Sequence, residues 1–267
     1  MKRSLLIFLT LFLFSTLSQA QVYLRAYTGY SVSANPEKLQ STEIVNGVKN
    51  VYQSKYKWGE GMNLGFAVGF RYNKNLSFEV TSNTQVLNKK KIFIPQKDLT
   101  TSNNWMISGY FGNIEYTNTV FQFAPQIVYT VDYNQKMLFY LKTGPQFLLA
   151  KSNFQRNYLE YSLDSSWSWH THQIDESFIE KGGINIGLQS SVGIEYKFSK
   201  NVHFTCEFIS VICNYKPQTS ETIKYKIDGA DRLNDLNFRT QKNTQGIKTD
   251  FSSWGINVGI KYLLKRG

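Results

Sequence analysis

The sequence predicts an all-β fold, a closed antiparallel up-and-down barrel of eight strands that cross a membrane. Three observations lead to this prediction. Eight segments alternate apolar and polar residues, short and long connections alternate between them, and no apolar run after residue 20 could span a bilayer as a helix. Lipid offers no partners to free backbone N–H and C=O groups, so a chain that crosses it without helices needs a closed barrel. Composition agrees, because 15% of the residues are aromatic although the mean hydropathy is −0.34.

The eight segments have the two-residue period of β-strands. In the second segment, Leu64, Phe66 and Val68 share one face. Ala67 and Arg71 lie on the opposite face. The eight predicted strands are 22–33, 62–72, 76–87, 119–131, 137–149, 184–198, 202–213 and 252–264.

Three connections between these strands are tight and four are long. The tight ones are rich in the turn formers Asn, Asp, Ser and Lys, and they lie at 73–75, 132–136 and 199–201. The long ones lie at about 34–61, 88–118, 152–181 and 214–250. In a meander, this strict alternation puts every long loop at one end and every tight turn, with both termini, at the other. Compact soluble domains rarely contain four loops of roughly thirty residues.

Pairing across the tight turns brings the apolar faces together. A five-residue turn at 132–136 places Tyr129 opposite Phe139. The turn after the second strand likewise places Phe70 opposite Phe78. One register therefore satisfies all three hairpins, because a slip of one residue would turn the apolar side chains to the other face.

Alternation does not show which face points outward. A lipocalin-type barrel also has eight strands, but its apolar face is inside. The polar faces favour the membrane barrel, because charged residues among glycine and serine suit a narrow polar lumen. These charged residues are Arg71, Glu79, Glu195, Lys197, Glu207 and Lys261.

Charges inside a narrow lumen are predicted to pair, because an unpaired buried charge is costly. Arg71 and Glu79 are expected to be diagonal partners on neighbouring strands. Either Glu195 or Lys197 is expected to lie near Glu207 and His203 on the sixth and seventh strands.

The N-terminus predicts export. Lys2 and Arg3 precede an apolar run from Leu5 to Leu17, and Ser-Gln-Ala at 18–20 supplies the small residues of a cleavage site. We therefore predict a signal peptide at 1–20 and one barrel domain at 21–267. The alternative, an N-terminal anchor helix, would need a longer apolar run.

The whole predicted mature chain resembles the small outer-membrane barrels of the OmpA, OmpX and OmpW-like superfamily, above all the Bacteroidetes-type outer membrane beta-barrel proteins. Members tend to end in a polar-x-Gly-x-x-aromatic-x-apolar assembly signal, and the fitting residues here are Asn257, Gly259, Tyr262 and Leu264. The tail 265–267 departs from the pattern, since members often stop at an aromatic residue. The resemblance implies a location in the cell outer membrane, with short periplasmic turns and long extracellular loops. The implied partners are outer-membrane lipid, lipopolysaccharide and the barrel assembly machinery.

Two features of the long loops have open interpretations. Lys89, Lys90 and Lys91 open the second loop, where the external headgroup layer is expected, and they either pair with lipopolysaccharide phosphates or are solvated. The aromatic stretch 103–116 either extends the strands as a hairpin or is irregular.

No catalytic or metal-binding pattern stands out. His170 and His172 lie in a Ser-Trp-Ser-Trp-His-Thr-His stretch, whose alternation allows an extended loop strand or a transient metal site. Cys206 and Cys213 lie on opposite faces of one strand, about 23 Å apart, and cannot form a disulfide with each other. We find no Ser–His–acid spacing and no glycine-rich phosphate loop, and the basic residues are dispersed. We therefore predict no enzyme, no cofactor, no metal and no nucleic-acid partner.

Two functional hypotheses follow from the barrel. One is a structural or surface-interaction role carried by the extracellular loops, whose partner is unknown. The other is a narrow channel or porin-like transporter of small or apolar solutes. An eight-stranded barrel is just wide enough for its own side chains, which favours the first hypothesis.

Overall fold

The computed structural model describes residues 21–35, 37–45, 48–87, 89–100, 107–163, 168–236, 239–242 and 249–264. The predicted signal peptide and the tail 265–267 lie outside these residues. The described residues form β-strands and one 3-10 helix (Leu233–Asp235). The strands are β1 (Gln21–Ser33), β2 (Glu37–Val45), β3 (Val48–Tyr56), β4 (Gly61–Arg71), β5 (Leu76–Val86), β6 (Lys90–Thr100), β7 (Ile107–Asp132), β8 (Met137–Leu163), β9 (Trp169–Gly182), β10 (Asn185–Lys197), β11 (Val202–Ile212), β12 (Asn214–Tyr215), β13 (Pro217–Ile227), β14 (Ala230–Asp231), β15 (Thr240–Lys242), β16 (Thr249–Asp250) and β17 (Ser253–Leu263). Among the described residues, no helix has the length and apolar character needed to cross a membrane.

Eight of these strands close into a ring of antiparallel pairs. The order around the ring is β1, β4, β5, β7, β8, β10, β11 and β17, and β17 pairs back with β1. The closing pair extends from Tyr23–Leu263 to Ser33–Ser253. Closure leaves no unpaired edge within the ring. The predicted eight-stranded up-and-down barrel is therefore confirmed.

The apolar faces of the ring point outward. Leu64 is 71% exposed and Ile186 is 69% exposed. By contrast, Asn63, which directly precedes Leu64 in β4, is 3% exposed. In β4 the outward apolar face extends from Met62 to Tyr72, about 33 Å along the strand, or roughly 25 Å of height at the usual tilt of barrel strands. That height matches the apolar band of an outer-membrane barrel. An apolar outer face excludes the lipocalin alternative.

The three tight turns share one design. In each, a side-chain oxygen of the first turn residue accepts a hydrogen bond from the backbone N–H three residues later, and these first residues are Asn73, Asn134 and Ser199. The middle turn is 134–136, not the predicted 132–136, because Val131 pairs with Phe139. Since the register moves by two residues, every side chain keeps its predicted face.

The long connections extend the same sheet beyond the barrel. β7 and β8 have 26 and 27 residues, and beyond the ring they pair with β6 and β9, while β9 pairs with β13. We call this extension the wall: β6, residues 107–118 of β7, residues 151–163 of β8, β9 and β13. The end of the barrel without the wall is called the turn end. Of the two interpretations of 103–116, strand extension holds for residues 107–116, which belong to β7 and pair with β6, whereas 103–106 lie outside the described residues.

A bulge at Gly182–Gly183 changes which face points inward. Lys151 pairs with Lys181, whereas Leu148 pairs with Asn185, so the β9–β10 side contains one extra residue. As a result, even-numbered side chains point outward in β10 but inward in β9. Glycine suits such a bulge, and the strand alternation cannot be carried across it.

Candidate functional site

A layer of four charged side chains lies across the middle of the lumen. Arg25, Glu79, Lys142 and Glu207 come from β1, β5, β8 and β11, which are alternate strands of the ring. The guanidinium of Arg25 lies 2.8 Å from Glu79 and 2.9 Å from Glu207. The ammonium of Lys142 lies 2.9 Å from Glu79 and 3.0 Å from Glu207. Each cation contacts both carboxylates, so the four charges balance. We call these four residues the ionic layer.

Neighbouring polar groups support the ionic layer. The Tyr140 hydroxyl and the Asn257 amide each donate a hydrogen bond to Glu207, both at 3.3 Å. The Arg25 guanidinium lies over the Tyr27 ring, 4.4 Å from its centroid. All four charged side chains are at most 4% exposed. Buried charges persist in such a site only where they are paired and hydrogen-bonded, which is the case here.

A second balanced cluster lies nearer the turn end. The Glu195 carboxylate contacts the Lys261 ammonium at 2.8 Å and Nδ1 of His203 at 2.5 Å. The Lys261 ammonium also lies over the Tyr23 ring, 3.9 Å from its centroid. These contacts bind the sixth, seventh and eighth strands of the ring to the first.

The structure groups the predicted lumen charges differently from the sequence analysis. Glu79, Glu195, His203 and Glu207 lie in the two clusters, but Arg71 and Lys197 do not. Arg71 forms no ion pair with Glu79 in the described part of the chain, so the expected diagonal pair is wrong. The Glu79 carboxylate instead reaches across the lumen to partners on β1 and β8.

Three cations that complete the clusters had no predicted partner: Arg25, Lys142 and Lys261. Their inward direction follows from alternation, but their partners depend on the stagger of the strands around the ring. Lys197 lies at the turn end, with its ammonium 3.7 Å from Asp132.

An aromatic cluster lies at the wall end of the lumen. Along β8, inward-facing residues lead from the ionic layer to Phe154, which stacks on Phe178 with a centroid distance of 4.7 Å. The Trp58 ring lies 5.9 Å from Tyr116 and 5.7 Å from Phe251. None of these five side chains is more than 7% exposed. We call them the plug. All four long connections contribute to it, the fourth through Phe251, one residue beyond its predicted end at 250.

The lysines that open the second loop do not share one face. Lys89 contacts Glu115, and Lys91 is exposed on the outward side of the wall. Lys90 points inward, and its ammonium lies 3.1 Å from the buried Glu60. Because β6 alternates like any strand, Lys90 is separated from the outward lysines.

Two of the three histidines, His172 and His203, lie beside carboxylates. β9 begins at Trp169, so residues 169–172 belong to an extended strand, as one of the two interpretations predicted. Nδ1 of His172 lies 2.7 Å from Asp228, and this contact, with the backbone N–H of Gln173, lowers the pKa of the Asp228 carboxyl. In the described residues, no three His, Cys, Asp or Glu side chains form a group that could hold a metal ion. The lack of enzymatic activity stays a prediction.

The proposed assembly residues all lie on the last barrel strand or directly after it. Tyr262 and Leu264 point outward, at 44% and 37% exposure. Asn257 faces the lumen, where it contacts Glu207. Their use as an assembly signal stays a prediction. The two cysteines are free, with Cys206 exposed and Cys213 buried, as the strand parity predicted.

The sequence matches the family described as "Domain of unknown function (DUF2715)" over residues 18–264. The chain belongs to this family. The match extends over both the barrel and the wall of this DUF2715 protein. No curated protein matches the chain significantly.

The DUF2715 chain is similar in structure to several outer-membrane proteins. For OprG of Pseudomonas aeruginosa, identity is 9% and the TM-score 0.46, with 92% of this chain and 96% of that one covered. For Neisserial surface protein A, identity is 12% and the TM-score 0.39, with 91% and 97% covered. For Ail of Yersinia pestis, solved with the heparin analogue sucrose octasulfate, identity is 9% and the TM-score 0.35, with 91% and 99% covered. Strand pairing and the outward apolar face, rather than these likenesses, establish the barrel.

Proposed function

We propose that this protein is an outer-membrane barrel with a structural and surface-interaction role carried by its wall. The turn end then lies in the periplasm and the wall lies outside the cell. Two layers of buried side chains across the lumen, the ionic layer and the plug, are the observation that carries the proposal. The ionic layer and the plug lie in series in a barrel that has room only for its own side chains, so bulk solute has no continuous path.

The wall supports a surface role because it is a packed sheet rather than a set of free loops. Its inward face supplies three residues of the plug, Tyr116, Phe154 and Phe178. Its outward face is polar and begins where the lipid-facing residues Phe121 and Leu149 end. A rigid sheet can present side chains in fixed positions to a partner, at a smaller entropic cost than a mobile loop.

Conductance tests the closed lumen. We expect purified protein in a planar lipid bilayer to show no steady ion current, because both closures must open before ions pass. Stable single-channel openings that are narrowed by Gly193→Phe would overturn the proposal. Gly193 lines the lumen beside the Tyr140 ring, so a bulky side chain there would obstruct a real pore.

Surface labelling tests the orientation. In a chain with Cys206→Ala and Cys213→Ser, we would introduce Thr171→Cys in the wall or Lys200→Cys at the turn end. Both positions are exposed. On intact cells, a membrane-impermeant maleimide is expected to label residue 171 and to label residue 200 only after lysis. The reverse pattern would contradict the orientation.

Export is a further part of the proposal. Cleavage after Ala20 would leave Gln21 as the mature N-terminus, and β1 begins at this residue. Mass spectrometry of the protein from the membrane fraction is expected to find this terminus. Intact Met1 in the cytosol would contradict export and the membrane location together.

A narrow channel remains the second candidate, and one observation favours it. The side-chain amides of Gln126 and Gln146 are buried in the lumen without hydrogen-bond partners in the described residues. The pairing of β7 with β8 is interrupted beside them at 124–126, where Pro125 has no N–H to donate. Buried amides normally find partners, and water in the lumen would supply them. Liposome swelling in small polyols would identify such a path, whereas the surface role predicts no swelling.

A further inference from the structure

The outward face of the wall carries an excess of positive charge. Six lysines lie there, which we call the lysine face: Lys89, Lys91, Lys151, Lys181, Lys224 and Lys226. Three of them are paired with carboxylates: Lys89 with Glu115, Lys181 with Glu221 at 3.3 Å, and Lys224 with Asp175. The other three form no ion pair in the part of the chain that the structure describes, so the face is left with net positive charge.

Two of these lysines stand directly opposite each other at the boundary with the membrane. Lys151 and Lys181 are cross-strand partners on β8 and β9, and both are exposed. Leu149, two residues before Lys151, belongs to the lipid-facing apolar face. Like charges directly opposite each other destabilise a sheet. Glu221 offsets part of this repulsion at Lys181, and an anion at the level of the lipid headgroups would offset the rest.

A polar groove of about 550 Å³ lies on the same face, farther from the membrane. Its lining combines neutral donors and acceptors with five charged side chains, which are Lys91, Arg156, Lys224, Glu115 and Asp175. The residues that matter here are Asn113, Gln155, Asn157, Ser177, Lys91 and Lys224. Amide and hydroxyl groups of this kind can both donate to and accept from the hydroxyl groups of a sugar.

We propose that the lysine face binds a phosphorylated glycolipid of the outer leaflet. Lys151 and Lys181 take the phosphate, and the groove above them takes the sugar. The order matches a lipid whose chains lie against the apolar belt and whose headgroup rises along the wall. The inference rests on the proposed orientation, because only an external wall meets this leaflet.

Lipid binding to the full chain in nanodiscs tests the inference. The discs contain zwitterionic phospholipid, with either diphosphorylated lipid A or phosphatidylglycerol added, and native mass spectrometry counts the bound molecules. Each lysine near a membrane surface contributes roughly a fivefold change in binding, so Lys151→Gln with Lys181→Gln is expected to weaken lipid A binding about 10- to 30-fold. The matched control removes two exposed turn-end lysines, Lys136→Gln with Lys200→Gln, and is expected to leave lipid A binding unchanged.

The groove has its own variant. Asn157→Ala is expected to weaken binding of lipid A but not of phosphatidylglycerol, which has no sugar ring. Two outcomes would show nonspecific charge attraction and overturn the inference. One is an equal loss of lipid A binding in the Lys151/Lys181 variant and the Lys136/Lys200 control. The other is an equal effect of Asn157→Ala on both lipids. Competition by free glucosamine 1-phosphate as strong as that by lipid A would overturn the lipid source. So would wild-type protein that retains no lipid A. Heat-modifiable migration on gels checks that every variant folds.

This result can fail separately from the proposed function. A closed lumen and an externally labelled residue 171, together with no lipid A binding, would reject only the lysine face. Steady conductance or inverted labelling would reject the function itself.

Discussion

The ionic layer and the plug fill two levels of the same lumen by opposite chemistry. The ionic layer depends on particular atoms, since Arg25 and Lys142 each contact both Glu79 and Glu207 within 3.0 Å. The plug depends on volume and apolar contact between large rings. Loss of one partner in the layer leaves an uncompensated charge, whereas loss of one ring in the plug leaves a cavity. The comparison teaches that the layer is sensitive to charge balance and the plug to size.

Removal of one charge from the ionic layer is expected to have the largest effect. Arg25→Met should lower the free energy of unfolding by about 3–5 kcal/mol, because Glu79 and Glu207 then share a single cation. Adding Glu79→Leu should restore most of this loss, since Lys142 and Glu207 remain as a neutral pair. Urea unfolding in lipid vesicles, monitored by tryptophan fluorescence, measures the free energies of the two single variants and the double variant. If the two losses simply add, charge balance does not govern the layer.

Truncation of one ring tests the plug. Phe154→Ala is expected to cost about 3 kcal/mol or somewhat more, because the stacked Phe178 and the Trp58 ring lose a buried neighbour. The matched control is Phe139→Ala on the lipid-facing side, where acyl chains can fill the space, and its cost should be much smaller. Equal losses in the same unfolding assay would show that the plug is not a packed core.

Conductance of combined variants separates the two closures. Arg25→Met alone and Phe154→Ala alone are expected to remain silent in planar bilayers, because the other closure is intact. The double variant is expected to show brief openings. A single Phe154→Ala variant that conducts like the double variant would mean that the ionic layer does not close the lumen.

Overpacking of the barrel interior at Gly69 is expected to have a moderate effect. A Cβ at Gly69 would lie 2.1 Å from the Tyr23 ring. The same ring contacts the Lys261 ammonium, which lies 3.9 Å from its centroid. Gly69→Ala should therefore lower the free energy of unfolding by about 1–3 kcal/mol. The control is Gly229→Ala: nothing lies near that added Cβ, but the positive φ of 81° adds a separate local cost at an exposed hairpin tip. A stable Gly69→Ala protein would indicate that the ring can move aside.

The smallest expected effect concerns the pH dependence of stability that arises from the Glu180 carboxyl. Burial raises the pKa of the Glu180 carboxyl in the wall. Because the folded pKa is above the unfolded one, the folded state binds the proton more tightly, and stability rises as pH falls through this window. Glu180→Gln is therefore expected to stabilise the protein slightly at neutral pH, with the gain disappearing below the unfolded carboxyl pKa. A pH-independent difference in urea midpoint would contradict this assignment.

Much of the barrel could be predicted because alternation is a local property. Leu64 and Phe70 point outward and Glu79 and Glu207 inward, as the period of two requires. The turn formers located the hairpins but not their length: Asn134, rather than Asp132, begins the middle turn. The wall was harder to predict, because the Gly182–Gly183 bulge reverses the inward and outward alternation of side chains on which the prediction depends.

The sequence by itself determined the number of barrel strands, the division of each into an apolar and a polar face, and the end of the molecule at which the long connections gather. Each follows from residue spacing along one strand or turn. Only the tertiary structure decided that Glu79 pairs with Arg25 and Lys142 instead of Arg71, and that four connections meet in one plug. Those contacts join residues far apart in the chain, and the closure and stagger of the ring set their heights. No local pattern encodes that geometry, because it arises from all eight strands together.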